Sequence, residues 1–180
     1  MPNISAGLLA GTLLAATIML PAPLTRAWAG SATGQAVVDL GDNVLKILSF
    51  SASSIDPDEG TATGQIDFHD VQATANQDVD GTGDPALEDA PGGVRVQANV
   101  DCLYVDGDQA VVGGQVTSAS VSRYVGMWML LFVEDVARGG KGDRFSWGFY
   151  PVETDTGCGS FPLVAHDAME IDSGDLHVQQ

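Results

Sequence analysis

The segment VRVQANVDCLYVDGDQAVVGGQV, residues 94–116, decides the fold, because two strand-like halves flank an Asp-Gly-Asp turn. In its first half, apolar residues at positions 94, 96, 98, 100 and 102 alternate with polar ones. This period is typical of a β-strand with one buried and one exposed face. The segment therefore predicts a β-hairpin with buried Val100, Cys102, Val112 and Val116 and with exposed Asn99, Asp101 and Gln115.

The pairing of these two strands depends on the length of the turn. A two-residue loop at positions 106 and 107 would place buried positions opposite exposed ones. A three-residue loop pairs Val100 with Gly114, Ala98 with Val116 and Cys102 with Val112, so that every buried residue faces a small or apolar one. We therefore predict the three-residue loop, with residue 107 or 108 in the left-handed conformation that such loops require.

The N-terminal segment has the features of a secretory signal peptide. An apolar run extends from Ala6 to Leu20, two prolines follow, and Ala27-Trp28-Ala29 forms a small-x-small cleavage site. The run is short for a transmembrane helix, and the alternative is an uncleaved anchor or a buried helix. We predict a signal peptide at 1–29, a lead-in at 30–43 and one domain at 44–180 with an acidic insertion at 71–93.

The composition is strongly acidic and restricts the possible partners. Removal of residues 1–29 takes away Arg26, which leaves 6 Lys and Arg against 24 Asp and Glu, a net charge of −18. Such a surface repels nucleic acid and anionic lipid, so we expect neither as a partner. After cleavage of the signal peptide we also expect no membrane span. The same bias fits a solvated acidic shell or a protein that meets divalent cations.

The two cysteines, Cys102 and Cys158, belong to a chain that we expect to be secreted, periplasmic or on the cell surface. In an oxidising compartment an even number of cysteines predicts a disulfide. Two buried free thiols are the alternative.

Strand patterns recur along the whole predicted domain, and no segment has a convincing helical period. In residues 61–70, TATGQIDFHD, even-numbered positions from Ala62 to Phe68 point one way and odd-numbered ones the other. The uninterrupted apolar run from Val125 to Val133 suits a strand covered on both faces. We predict an all-β fold, an antiparallel β-sandwich or barrel of about seven to nine short strands.

The segments ATGQIDFHD, residues 94–116, FVEDVARGGKGDRFSW, the late Cys158 and GDLHV together resemble a loosely defined family of secreted bacterial β-rich domains. The resemblance covers about residues 44–178. It implies an extracytoplasmic β-sandwich that is a whole small protein or a module of a cell-surface protein, and it implies no catalytic residues. The acidic insertion departs from the pattern, in which a short turn stands at this place.

The insertion contains the motif DVDGTGDPALED, residues 78–89, which places oxygen-bearing side chains at alternate positions around a glycine. Calcium prefers such oxygen ligands, and the motif resembles the acidic calcium repeats of surface proteins. Thr82 stands where an Asp is expected, and Asp89 is shorter than the usual bidentate Glu. A solvated acidic loop is the alternative to a Ca²⁺ site formed by Asp78, Asp80, Thr82, Asp84 and Asp89.

Other candidate residues carry weaker signals. Adjacent residues of a strand point to opposite faces, so neither His69-Asp70 nor His166-Asp167 can chelate one ion through both side chains. His166 and Glu170 are four residues apart, and Ser160 has no partner that the sequence identifies. The row Phe145, Trp147 and Phe149 could form a sugar-stacking platform, although core packing is favoured.

Two classes of function remain open. The first is a non-catalytic binding or structural module that binds a surface component or a glycan. The second is a small secreted hydrolase-like enzyme with a carboxylate-lined cleft, in which two acids, or an acid and a histidine, should converge.

Overall fold

The computed structural model describes residues 30–41, 44–56, 59–71, 93–136, 142–151, 157–161 and 168–180. Within these residues the chain forms nine antiparallel strands in one curled, half-barrel sheet and contains no α-helix. The predicted all-β antiparallel class is therefore confirmed. The predicted signal peptide and almost all of the acidic insertion lie outside the described residues.

The sheet has the order β8-β7-β6-β5-β4-β3-β2-β1-β9, so consecutive strands are neighbours from β1 to β8 and the last strand returns to pair with the first. The predicted lead-in contains β1, which pairs with both β2 and β9, so the domain begins before residue 44. The strands are β1 (Ser31–Asp39), β2 (Leu45–Asp56), β3 (Thr61–Asp70), β4 (Val94–Asp106), β5 (Gln109–Ala119), β6 (Trp128–Glu134), β7 (Arg144–Tyr150), β8 (Met169–Glu170) and β9 (Ser173–Gln179).

The main core lies on the concave, inner face of the sheet. Alternate residues of β2 and β3 point into it, as the sequence pattern predicts for β3, and the largest include Phe50, Ile66 and Phe68. Phe145 and Phe149 are buried in the same core, where Trp147 packs against Phe68 with ring centroids 4.4 Å apart. The row Phe145, Trp147 and Phe149 therefore packs in the core and does not form a sugar-stacking platform.

The turn of the β4–β5 hairpin is shorter than predicted. Asp106 pairs with Gln109, so the loop contains two residues, and Gly107 adopts a positive φ of 67°. A bulge at Asp101 then shifts the register, which brings Val100 opposite Gly114 as predicted but places Cys102 opposite Gly113 instead of Val112. The predicted three-residue loop is wrong because the extra residue lies inside the strand and not in the turn.

This bulge reverses which positions of β4 face the core. Val100 lies on the inner face, whereas Cys102 and Tyr104 are buried in a second cluster on the outer face. Cys102 forms the predicted disulfide with Cys158, across a Cα–Cα distance of 5.7 Å. A Cβ atom at Gly113 would lie 2.7 Å from the Cys102 Sγ atom, so only glycine fits opposite this disulfide.

The second cluster covers the outer face of β6. Met129 and Leu131 face the inner core, while Leu130 is buried on the other side of the strand, so the predicted cover on both faces is confirmed for β6. The predicted run began too early, because Val125 is exposed and lies before the strand. The segment from Cys158 to Phe161 lies over the second cluster and is called the cover. It consists of a 3-10 turn, Cys158–Ser160, and of Phe161, whose ring packs against Tyr150 and Phe132.

Two aspartates of the β6–β7 connection bind the free edge of β9. Asp143, which is fully buried, accepts hydrogen bonds from the backbone N–H of Val136 and of Leu176, both at 3.0 Å. Asp135 accepts the N–H of Val178 at 3.1 Å. The sheet therefore curls far enough for its last strand to meet the base of the β6–β7 hairpin.

Candidate functional site

A row of side chains crosses the outer face of the sheet, with one residue from each of eight strands. Each residue is the direct partner of the next in the strand pairing. Directly opposed residues of antiparallel strands point to the same face. This cross-strand row consists of His177, Thr33, Ser51, Gln65, Asn99, Gln115, Trp128 and Tyr150.

The row changes from polar to aromatic along its length. The six residues from β9 to β5 are exposed, whereas Trp128 and Tyr150 are half-buried and rest on the second cluster. Phe161 supports Tyr150 from one side, with ring centroids 5.5 Å apart. Tyr150 also lies over Gly148, where a Cβ atom would come within 2.9 Å of its ring. The two rings are therefore held by packing and keep part of their surface exposed to solvent.

Two shallow grooves lie beside the row, over strands β3, β4 and β5. The larger has a volume of about 320 Å³ and the smaller about 110 Å³. Asp67 and Gln97 line both of them, so the two grooves are continuous with each other. The polar lining of the larger groove is Asp67, Arg95, Gln97, Ser118 and Ser120, and that of the smaller is Gln65, Asp67, Gln97, Asn99 and Thr117.

Hydrogen bonds hold the groove side chains in place. The Gln97 amide donates to the Asp67 carboxylate at 3.0 Å, and the Ser120 hydroxyl accepts the backbone N–H of Arg95 at 3.0 Å. In the row itself, the Gln115 amide donates to the Gly126 carbonyl at 3.4 Å. Amides and hydroxyls both donate and accept hydrogen bonds, so this face can bind a ligand that carries many hydroxyl groups.

The structure separates His69 from Asp70, as the strand pattern predicts. His69 is half-buried on the outer face, and Asp70 is fully buried on the inner face. Glu170 is exposed on β8, and Ser160 is exposed in the short turn after the disulfide. The predicted calcium residues Asp78, Asp80, Thr82, Asp84 and Asp89, together with His166 and Asp167, lie outside the described residues.

Within the described ranges, no group of three or more His, Cys, Asp or Glu side chains is placed to hold a metal ion. The same part of the chain contains no helix with the length and apolar character that a membrane crossing needs.

A buried ion pair on the inner face was not predicted from the sequence. Lys46 pairs with Asp70, and its ammonium group lies 5.9 Å from the centre of the Trp147 ring. The second carboxylate oxygen of Asp70 has no hydrogen-bond partner among the described residues. Lys46 and Asp70 each occupy a core-facing position of an alternating strand, and buried charges require partners. The alternation alone could therefore have identified this pair.

The cross-strand row was also missed, because it depends on the register of seven strand pairings. Each of its residues is unremarkable in its own strand. Only the polar positions of β3 and β4 could be assigned to the outer face from alternation.

Comparisons with protein families, with curated proteins and with solved structures give no match to this chain.

Proposed function

We propose that this protein is an extracytoplasmic, non-catalytic module that binds a glycan along the cross-strand row. The observation that carries the proposal is the alignment of three side-chain amides with two adjacent aromatic rings: Gln65, Asn99, Gln115, Trp128 and Tyr150 follow one another across five strands. Amides bind the hydroxyl groups of a sugar, and an exposed aromatic face binds its apolar side.

The geometry of a sheet supports an extended ligand. Neighbouring strands are about 4.8 Å apart, so the five residues from Gln65 to Tyr150 span roughly 19 Å. A chain of several sugar rings matches this length. The rigid strand backbone and the packing under Trp128 and Tyr150 reduce the entropy that the protein loses on binding.

Two observations support an extracytoplasmic location. The Cys102–Cys158 disulfide is typical of proteins from oxidising compartments. The N-terminal sequence has the order of a secretory signal peptide. The resemblance to secreted bacterial β-rich domains agrees with this location and forms part of the proposal.

The lining of the grooves favours a binding role over the hydrolase-like alternative, and the His177–Asp175 pair, 3.1 Å apart, is exposed and belongs to neither groove. An acid/base hydrolase needs two carboxylates, or a carboxylate and a histidine, on one substrate. In the described lining of both grooves, Asp67 is the single carboxylate, and the Gln97 amide engages it.

The test is glycan-array screening of the wild-type protein, followed by titration of the best oligosaccharide against variants. Trp128→Phe should keep much of the affinity, and Trp128→Ala should weaken binding about tenfold through loss of the stacking surface. Gln115→Ala should weaken it about fivefold, the free energy of one hydrogen bond. Gln179→Ala, a glutamine at the far end of β9, is the matched control and should bind normally.

Tryptophan fluorescence gives an independent readout. Of the three tryptophans, Trp28 precedes the expected cleavage site and Trp147 packs against the core, so a stacked sugar should change the emission of Trp128. The change should be absent in Trp128→Phe. Absence of any glycan ligand at millimolar concentration, or wild-type affinity in both Trp128→Ala and Gln115→Ala, contradicts the proposal.

A further inference from the structure

Arg95 differs from the other cations that the structure describes. Lys46 pairs with Asp70, Arg144 lies 3.7 Å from Glu134, and Arg123 stacks over the ring of Tyr124. The guanidinium of Arg95 makes neither a hydrogen bond nor an ion pair with any described residue. Among the Lys and Arg side chains that the structure describes, Arg95 is therefore the one with neither a carboxylate nor an aromatic ring as partner.

The surroundings of Arg95 form a polar groove. Arg95 lines the larger groove together with the hydroxyls of Ser118 and Ser120 and the amide of Gln97. The one carboxylate in the lining, Asp67, accepts a hydrogen bond from Gln97 at 3.0 Å. The groove thus offers the positive charge of Arg95, in the same lining as the negative charge of Asp67, together with several hydrogen-bonding groups.

The groove continues into the cross-strand row. Asn99 is four residues from Arg95 on the same strand, and Trp128 is two strands further on. With about 3.4 Å per residue and about 4.8 Å per strand, Arg95 lies roughly 17 Å from Trp128 along the sheet. One oligosaccharide of several rings can therefore reach both.

We infer that the groove at Arg95 is a subsite for a carboxylate carried by one sugar ring, such as a uronic acid, of the glycan that the row binds. The inference rests on the proposed function and adds the chemical class of the ligand. A guanidinium binds a planar carboxylate through two parallel hydrogen bonds, and Ser118 and Ser120 lie beside it to bind the neighbouring hydroxyl groups.

The net charge of the protein restricts this ligand further. At −17 for the full sequence, the protein repels a polyanion from a distance. A single carboxylate placed at Arg95 gains the local contact without this large repulsion. The preferred ligand is therefore mostly neutral, with isolated acidic rings, and not a uniformly charged polysaccharide.

The test compares two oligosaccharides that differ in one group: one with a single glucuronic acid ring and its carboxyl-reduced, neutral counterpart. Isothermal titration should show the acidic form binding about threefold to fivefold more tightly to the wild type, the effect of one exposed ion pair. Arg95→Gln should bind both forms equally, and Arg95→Lys should keep part of the preference. Arg144→Gln removes an exposed arginine of β7 and should leave the ratio unchanged.

Added sodium chloride should reduce the ratio in the wild type, because Arg95 is exposed. Free glucuronate, which cannot reach Trp128, should bind more weakly than the oligosaccharide. Equal affinity of the wild type for the acidic and neutral forms, or an unchanged preference in Arg95→Gln, overturns the inference while glycan binding stands. A sulfated form that binds more tightly than the carboxylate overturns the choice of ligand class. Binding of neither form rejects the proposed function itself.

Discussion

The outer face of the sheet has two halves that differ in their exposure to solvent. On β1, β2 and β3 this face carries exposed Ser, Thr, Gln and Asp side chains. On the first half of β5, on β6 and at the end of β4, it is apolar and lies beneath the segment from Cys158 to Phe161. The inner face is a continuous core below both halves.

The difference follows from the sequence of each strand. β2 alternates between buried and exposed residues, so a core on one side suffices. β6 is apolar at consecutive positions, and its second face has to be covered by another part of the chain. The bulge at Asp101 lies at the boundary, because it turns Cys102 toward the outer face and so allows the disulfide to anchor that cover.

The largest expected effect compares the two faces within one strand. Val100→Asp places an unpaired charge in the inner core, where Val100 is 4% exposed. We expect a loss of more than about 4 kcal/mol, enough to prevent folding. Asn99→Asp changes the exposed neighbour and should cost less than about 0.5 kcal/mol. Circular dichroism during urea unfolding measures both, and a Val100→Asp variant of near-normal stability would show that the two faces are wrongly assigned.

The second prediction concerns the disulfide that attaches the cover to the sheet. Cys102→Ala with Cys158→Ala releases a loop with a sequence separation of 56 residues. The chain-entropy estimate gives a loss of about 4 kcal/mol, reduced by any structure that persists in the reduced unfolded chain. Urea unfolding of the double variant, beside wild type with and without reductant, gives the value. A loss below about 1 kcal/mol would mean that packing alone holds the cover in place.

The third prediction concerns the contact between the cover and the sheet. Gly113→Ala adds a Cβ atom 2.7 Å from the Cys102 sulfur and 2.8 Å from the Cys158 sulfur. We expect a loss of about 2 kcal/mol from overpacking. Gly157→Ala is the matched control, since its Cβ meets nothing within 4 Å and its φ of −51° suits any residue.

A double-mutant cycle sharpens this test. In the variant without both cysteines, the two sulfur atoms are absent, and the cost of Gly113→Ala should decrease by more than half. An unchanged cost would place the clash at Leu130, whose side chain is the next nearest neighbour at 3.0 Å.

Alternation was sufficient to predict much of the fold from the sequence. It assigned the inner residues of β3 and the first half of β4, and the even cysteine count predicted the disulfide. It failed at Cys102, because a bulge inserts one residue without changing the composition of the strand. It also missed β1, in which Gly34 interrupts the apolar alternation and whose partner β9 is more than a hundred residues away. The candidate site could not be predicted, since a shift of one residue in any pairing would remove a side chain from the row.

Asp135 and Asp143 have a consequence for association between molecules. An outermost strand presents unpaired N–H groups that can recruit a strand of another copy and start a fibril. In β9 the carboxylates of these two residues already accept the N–H groups of Leu176 and Val178. Their negative charge also repels the carbonyl groups of an incoming strand. Two acidic residues of this chain thus act as hydrogen-bond acceptors, and they occupy N–H groups of its last strand that could otherwise pair with another copy.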